Sequence, residues 1–313
     1  MVVLRRQVSP SVPLVRRARR MASVLAVMLC AGLGKVHAHE QTVEQGALRV
    51  ASAGWGNTRA AELRFVLAAV AAEFGRHFPG RDLGRVEVVP GEFGPMVLYE
   101  RAADGAYVVK LSARDGRWFQ FVYQFAHELC HIYSNFDRKR GADGRIETAN
   151  QWFEESICEA AALFTLRSLA REWSEAESGS LQARHAAELR AYADYFLGES
   201  HRQLPARQSF ASWFRTNHSD LADNPYHRQR NELVANVLLP YFEQNPDNWE
   251  VIAFLNPDSA HAAMVFEEYL EQWLHACPVE RREVVERVMH VFGVRPTGEG
   301  DAGNRALAGD GMS

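Results

Sequence analysis

The sequence predicts an α+β protein, with a small sheet near its start and a mostly helical remainder. Three observations predict it. Runs of β-type residues bounded by turn residues are confined to residues 48–113. From residue 117 onward, apolar residues recur at steps of three and four, broken by Gly or Pro. Where the two regimes meet, a helix-length run over 117–136 carries His127, Glu128 and His131 in the string HELCH.

Taken in order, the chain opens on a basic segment with Arg16, Arg17, Arg19 and Arg20, then an apolar run over 21–33, then the small-residue pattern Val36, His37, Ala38. That order is expected of a secretory signal peptide over 1–38, cleaved after Ala38, which implies a secreted or periplasmic protein. The alternative is an uncleaved anchor, although the run is shorter than the ~20 residues that span a bilayer comfortably. No later stretch is apolar enough to cross a membrane, so no membrane association is expected after cleavage.

A short strand is expected at 48–52, and a helix over 58–78 with Asn57 as its cap and Pro79 and Gly80 as its stop. Residues 85–89, 96–101 and 106–113 read as strands, the last two joined into a hairpin by Ala103, Asp104 and Gly105. Helices follow at 117–136 and 152–166, separated by a charged, Gly-containing surface loop. Further helices are expected at 181–197, 209–216, 229–244, 249–255, 260–275 and 280–292, and a disordered tail from 295 to 313. The expected organisation is a signal peptide (1–38), an α+β region (39–175), a helical lobe (176–294) and the tail.

Composition bounds the function. A chain with 47% hydrophobic residues can bury a substantial core. Its net charge of −4 already includes the basic leader, so it offers no basic field for nucleic acid. Only Cys130, Cys158 and Cys277 lie beyond Ala38. If the two helices pack together, Cys130 and Cys158 come close, either as a disulfide or, by default, as two small buried residues.

Residues four apart stack on one helix face, so His127 and His131 can aim two imidazoles at one point with Glu128 beside them. That geometry suits zinc. The helix is apolar on most sides, yet Gln120, Gln124, Glu128, His131 and Asn135 draw a polar seam along it. Burying such a seam is costly unless each group finds a partner. Twenty-four residues after His131, the helix WFEESICEAAALFTL carries Glu155 and Glu159 at a spacing that shares a face, so it can present a carboxylate to the same point. A catalytic zinc takes three protein ligands and keeps one position open, and two His plus one Glu is a known set.

HELCH followed by WFEES resembles the gluzincin zinc metallopeptidases, and locally their aminopeptidase branch, whose second helix reads Trp, two residues, Glu, then a small residue: here Trp152, Glu155 and Ser156. The resemblance covers residues 94–166. The gap between motif and Glu is longer than in that branch, and its GxMEN motif is missing, with only Gly94, Pro95 and Met96 faintly like it. The resemblance implies a zincin-like catalytic region with the hairpin over the HExxH helix. It implies His127, His131 and Glu155 as zinc ligands, Glu128 as general base, and Glu159 as a supporting carboxylate. It also implies a hairpin edge strand that holds extended substrate, although a hairpin that merely covers the helix is an equal reading. Tyr226 falls 71 residues after Glu155, near where related peptidases place a Tyr or His that steadies the tetrahedral intermediate. Tyr226 is the first candidate, then His227, then His218. The same stretch reads, ahead of any donor role, as an N-terminal helix-cap region with solvated Arg228 and Arg230.

The implied activity is hydrolysis of peptide bonds in a peptide or protein substrate. Two alternatives stand beside it: a non-catalytic zincin-fold binding protein of the cell envelope, and a helical interaction protein with an accidental motif. An intact Glu128 argues against the first of these, because a structural zinc has no use for that carboxylate.

Overall fold

The computed structural model describes residues 47–296 of the chain. The expected signal peptide and the tail from residue 297 lie outside the described residues. Among those described, no helix is long and apolar enough to cross a membrane.

The sheet has four strands in the order β1-β2-β4-β3 and is mixed. Strand β1 (Leu48–Val50) runs parallel to β2 (Val86–Pro90), with Leu48 opposite Val86, and β2 runs parallel to β4 (Tyr107–Leu111), with Val88 opposite Val109. A parallel pair needs a crossover, and helix α1 (Ala60–Gly75) supplies the first one. Its Leu63, Val66, Leu67, Val70 and Phe74 are buried, and so are Val86 and Val88 of β2 and Tyr107, Val109 and Leu111 of β4. The alternate positions of these two strands are only half-buried, the period-two signature that made both legible in the sequence.

The expected hairpin is present, but its first strand is short. Strand β3 (Met96–Val97) pairs antiparallel with β4 at the sheet edge, and a turn at 102–105 closes it, with Gly105 at φ 84°. Beyond Leu98 the chain leaves the ladder, because Tyr99 packs on Phe136 at 5.0 Å between ring centres and Glu100 pairs with Arg140 at 2.7 Å. Asn57 does not cap α1. Arg59 stands at the cap position, while the Asn57 amide donates to Asp115 and Thr58 accepts from the Gly116 amide.

Helix α2 (Trp118–Tyr133) carries HELCH and ends three residues before the expected Phe136. Asn135 adopts a left-handed conformation (φ 59°), and its side-chain amide donates to the carbonyls of Ala253 and Leu255 at 2.9 and 2.6 Å. The loop expected after it begins as a 3-10 turn, Phe136–Lys139, whose Lys139 is buried rather than exposed. Helix α3 (Gln151–Ser174) runs a further two turns past the expected end. It packs on α1, on α2 and on two later helices, α4 (Leu181–Leu197) and α6 (Arg228–Glu243), and is buried nearly all round, its polar residues included.

Helices α5 (Phe210–Asp223), α8 (Phe266–Ala276) and α9 (Arg282–Phe292) cluster aromatic rings around Trp152 of α3. The expected helix at 249–255 is part of a 3-10 segment, Pro246–Phe254. The helix expected over 260–275 is two pieces, α7 (Ser259–Ala262) and α8, broken although the sequence there has neither Gly nor Pro. Cys130, Cys158 and Cys277 are buried free thiols, and Cys130 and Cys158 touch across the α2–α3 contact.

Candidate metal centre

The seam on α2 is satisfied group by group. Gln124 accepts from the amides of Ser112 and Ala113 at 3.0 Å, which pins the end of β4 to the helix. Asn135 holds the 253–255 carbonyls, as above. The two positions between them, Glu128 and His131, face α3 and the sheet edge.

The imidazoles of His127 and His131 stand 5.0 Å apart, and both present Nε2 to the carboxylate of Glu155 on α3, at 3.2 Å from His127 and 3.6 Å from His131. Ligand atoms of these three residues all lie within 4.8 Å of one another. Tetrahedral ligands bound at about 2.1 Å sit roughly 3.4 Å apart, so the spacing fits a small divalent cation. The opening is also on the correct side: His127 and Glu155 keep 16% and 18% of their side chains exposed, while His131 is closed off.

Each imidazole has a carboxylate behind it. Nδ1 of His131 is 2.6 Å from Glu154, and Nδ1 of His127 faces Glu159 at 4.0 Å. A metal-binding histidine is oriented in this way, with the second nitrogen directed at a carboxylate. Glu154 is held in turn by Lys139 at 2.6 Å and Asn256 at 2.9 Å. Glu159 is held by the Tyr123 hydroxyl and by Arg202 at 2.6 Å. Gln151 donates to Glu155 at 2.7 Å.

The charges are perturbed accordingly. Burial disfavours the Glu155 carboxylate, but His131 and His127 outweigh that and hold its pKa at about 2. Burial likewise favours neutral His131, yet Glu155, Glu154 and Glu128 together push it up to about 10. Glu128 behaves differently. It is almost fully buried, and desolvation raises its carboxyl above the usual range despite the two histidines and the Val97 amide. Four buried or nearly buried carboxylates, Glu128, Glu154, Glu155 and Glu159, thus surround two imidazoles, with Lys139 and Arg202 as the buried cations beside them.

Of the three candidate donors, Tyr226 is the one on which the carboxylates of the cluster act. It is 65% exposed, and desolvation followed by Glu155 and Glu154 raises its phenol. Asn231 fixes its loop by donating to the Pro225 carbonyl at 2.8 Å. The same carboxylates act on Tyr99: after burial, the groups that raise its phenol are Glu154, Tyr226 and Glu155. His227 stands at the cap position of α6 without a side-chain cap bond. The structure does not bring His218 to the centre. Its ring packs on Phe214, Phe266 and Trp152, and Glu267 is the charge that acts on it.

Sequence reasoning missed Glu154, Lys139, Asn256 and Arg202. The signal for Glu154 was present in the doublet Glu154-Glu155, since adjacent helix positions point about 100° apart and cannot both serve one point. The other three carried none. No protein-family model matches the chain, and no curated protein matches it. A second group within the same 4.8 Å limit, Glu199, His201 and Glu232, lies beyond Arg202.

Proposed function

We propose that the chain is a zinc-dependent metallopeptidase of zincin-like fold that acts on peptide bonds. The observation that carries this reading is the division of labour on α2: His127 and His131 converge with Glu155 through Nε2, while Glu128 lies beside them, is not part of the cluster, and has a raised pKa. A purely structural metal site has no role for such a group. The surplus of buried carboxylates supports a bound dication as well.

Zinc, when bound, supplies a water of lowered pKa and polarises the scissile carbonyl. Glu128 takes the proton of the attacking water and returns it to the leaving amine; its raised pKa brings it nearer that task. The Tyr226 hydroxyl donates to the oxygen on which negative charge develops. Edge strand β3 is paired on one side only, which leaves its other side for an extended peptide. Export is part of the proposal, from the basic, apolar and small-residue order of residues 16–38.

The test is metal content and hydrolysis together. Purified protein should hold about one zinc per chain and cleave members of a broad peptide pool, and His131→Ala or Glu155→Ala should remove both properties. Full zinc loading without any cleavage would favour the binding protein. Equal zinc content in wild type and both variants would sink the centre.

A further inference from the structure

The buried ion cluster behind His127 extends far beyond Glu159, and its middle member is Arg202. The side chain of Arg202 is fully buried, at the end of the 3-10 turn Ser200–Arg202 between α4 and α5. Its guanidinium lies 2.6 Å from Glu159, 3.0 Å from Glu232 and 3.6 Å from Glu199. Glu232 also accepts from Arg228 at 2.6 Å and contacts His201. A second cation between Glu199, His201 and Glu232 would sit against both guanidiniums, and Glu232 is already committed to them. The cluster is therefore organised by Arg202 and Arg228.

We infer that Arg202 is a positioning residue for the metal centre: it clamps the Glu159 carboxylate against the Tyr123 hydroxyl and so aims it at Nδ1 of His127. The inference rests on the proposed metal site. Glu159 has no backbone amide partner, so its direction is set by Tyr123 on one oxygen and Arg202 on the other. A fixed anion 4.0 Å behind Nδ1 of His127 favours the ring orientation in which Nε2 stands 3.2 Å from Glu155, on the cation's side. Nη2 of the planar guanidinium holds Glu159 and Glu232 at once while Nε faces Glu199 and Nη1 faces Asn236, a spread of contacts that a lysine ammonium reproduces only in charge. The consequence is that residues of α6 and of the 200–202 turn, none of them a ligand, set how firmly His127 binds.

The experiment measures zinc affinity by chelator competition and the visible spectrum of the cobalt-substituted full-length protein. Arg202→Met should weaken zinc roughly 10- to 100-fold, the usual loss when a partner behind a ligand is removed. Its cobalt bands should shift, while far-UV circular dichroism stays native. Arg202→Lys should recover part of the affinity. A folded Arg202→Met protein with wild-type affinity and spectrum overturns the inference. Should Arg202→Met not fold, Glu159→Gln and the double variant Arg202→Met/Glu159→Gln, which leaves Glu159 no charge to clamp, decide the matter. Equal zinc affinity in these two supports action through Glu159, and a weaker double variant overturns it. Absence of zinc from the wild type itself would instead bring down the metal reading on which the inference rests.

Discussion

The ammonium of Lys139 lies 2.6 Å from the carboxylate of Glu154, with 3% and 1% of the two side chains exposed. Through Glu154 the pair reaches Nδ1 of His131. A buried ion pair gives little net stability, but removing one partner strands the other. Lys139→Met should therefore destabilise the fold by about 3–5 kcal/mol. Denaturant unfolding reads this as a lower midpoint at unchanged slope. Lys139→Met/Glu154→Gln should regain much of the loss, and a single variant as stable as wild type would disprove the pairing's role.

Glu128→Gln should keep zinc and lose chemistry. The substitution preserves size and leaves His127, His131 and Glu155 untouched, so metal stoichiometry stays at the wild-type value. Hydrolysis of a peptide pool should fall by two to four orders of magnitude, roughly the contribution of a positioned acid or base. A variant with full zinc and wild-type turnover rules out Glu128 as the base.

Tyr226→Phe removes a hydroxyl and nothing else. Its expected effect is on kcat, about 10²- to 10³-fold, with KM nearly constant, because the bond forms only as charge develops. His218→Ala serves as the contrast, since its ring lies among Trp152, Phe214 and Phe266, and its kcat should match wild type. The reverse pattern would exchange their roles.

His77 predicts an acid-sensitive fold. Its ring packs edge-on to Phe164, Nε2 makes no hydrogen bond among the described residues although Glu73 stands 4.0 Å away, and burial, then Arg76, outweighs Asp247 and lowers its pKa from 6.5 to about 4. The folded chain thus prefers neutral His77, and that preference is fully present above pH 6.5. As pH falls from 6.5 to 4, only the unfolded chain gains the proton, and about 3 kcal/mol is lost. Comparing unfolding free energies of wild type and His77→Phe at pH 7 and pH 4 isolates the contribution. Parallel losses in the two proteins would count against it.

Periodicity made the sheet strands and most helices legible, because each buries one face. The convergence of His127 and His131 was legible for a related reason, helical spacing, whereas the choice of Glu155 over Glu159 came from the resemblance of WFEES to the gluzincins. What the sequence hid was the set of groups that complete the charges. Lys139 sits in a stretch whose composition reads as surface, and Arg202 lies in an aperiodic turn; only tertiary packing buries them. The α7–α8 break was equally silent. Glu159 was assigned a supporting role without its direction, and the Glu154-Glu155 doublet marked Glu154 as aimed elsewhere without showing that it stands behind His131.

Glu154 and Glu159 are each supported from both sides in sequence, Glu154 by Lys139 and Asn256 and Glu159 by Tyr123 and Arg202. Lys139 is made between the two ligand helices, whereas Arg202 and Asn256 are made after both. On a ribosome, Arg202 and Asn256 therefore emerge after both imidazoles and the four carboxylates around them, whereas Tyr123 and Lys139 precede Glu155. The polar contacts behind both imidazoles are thus complete only once Asn256 has been made, more than a hundred residues after HELCH.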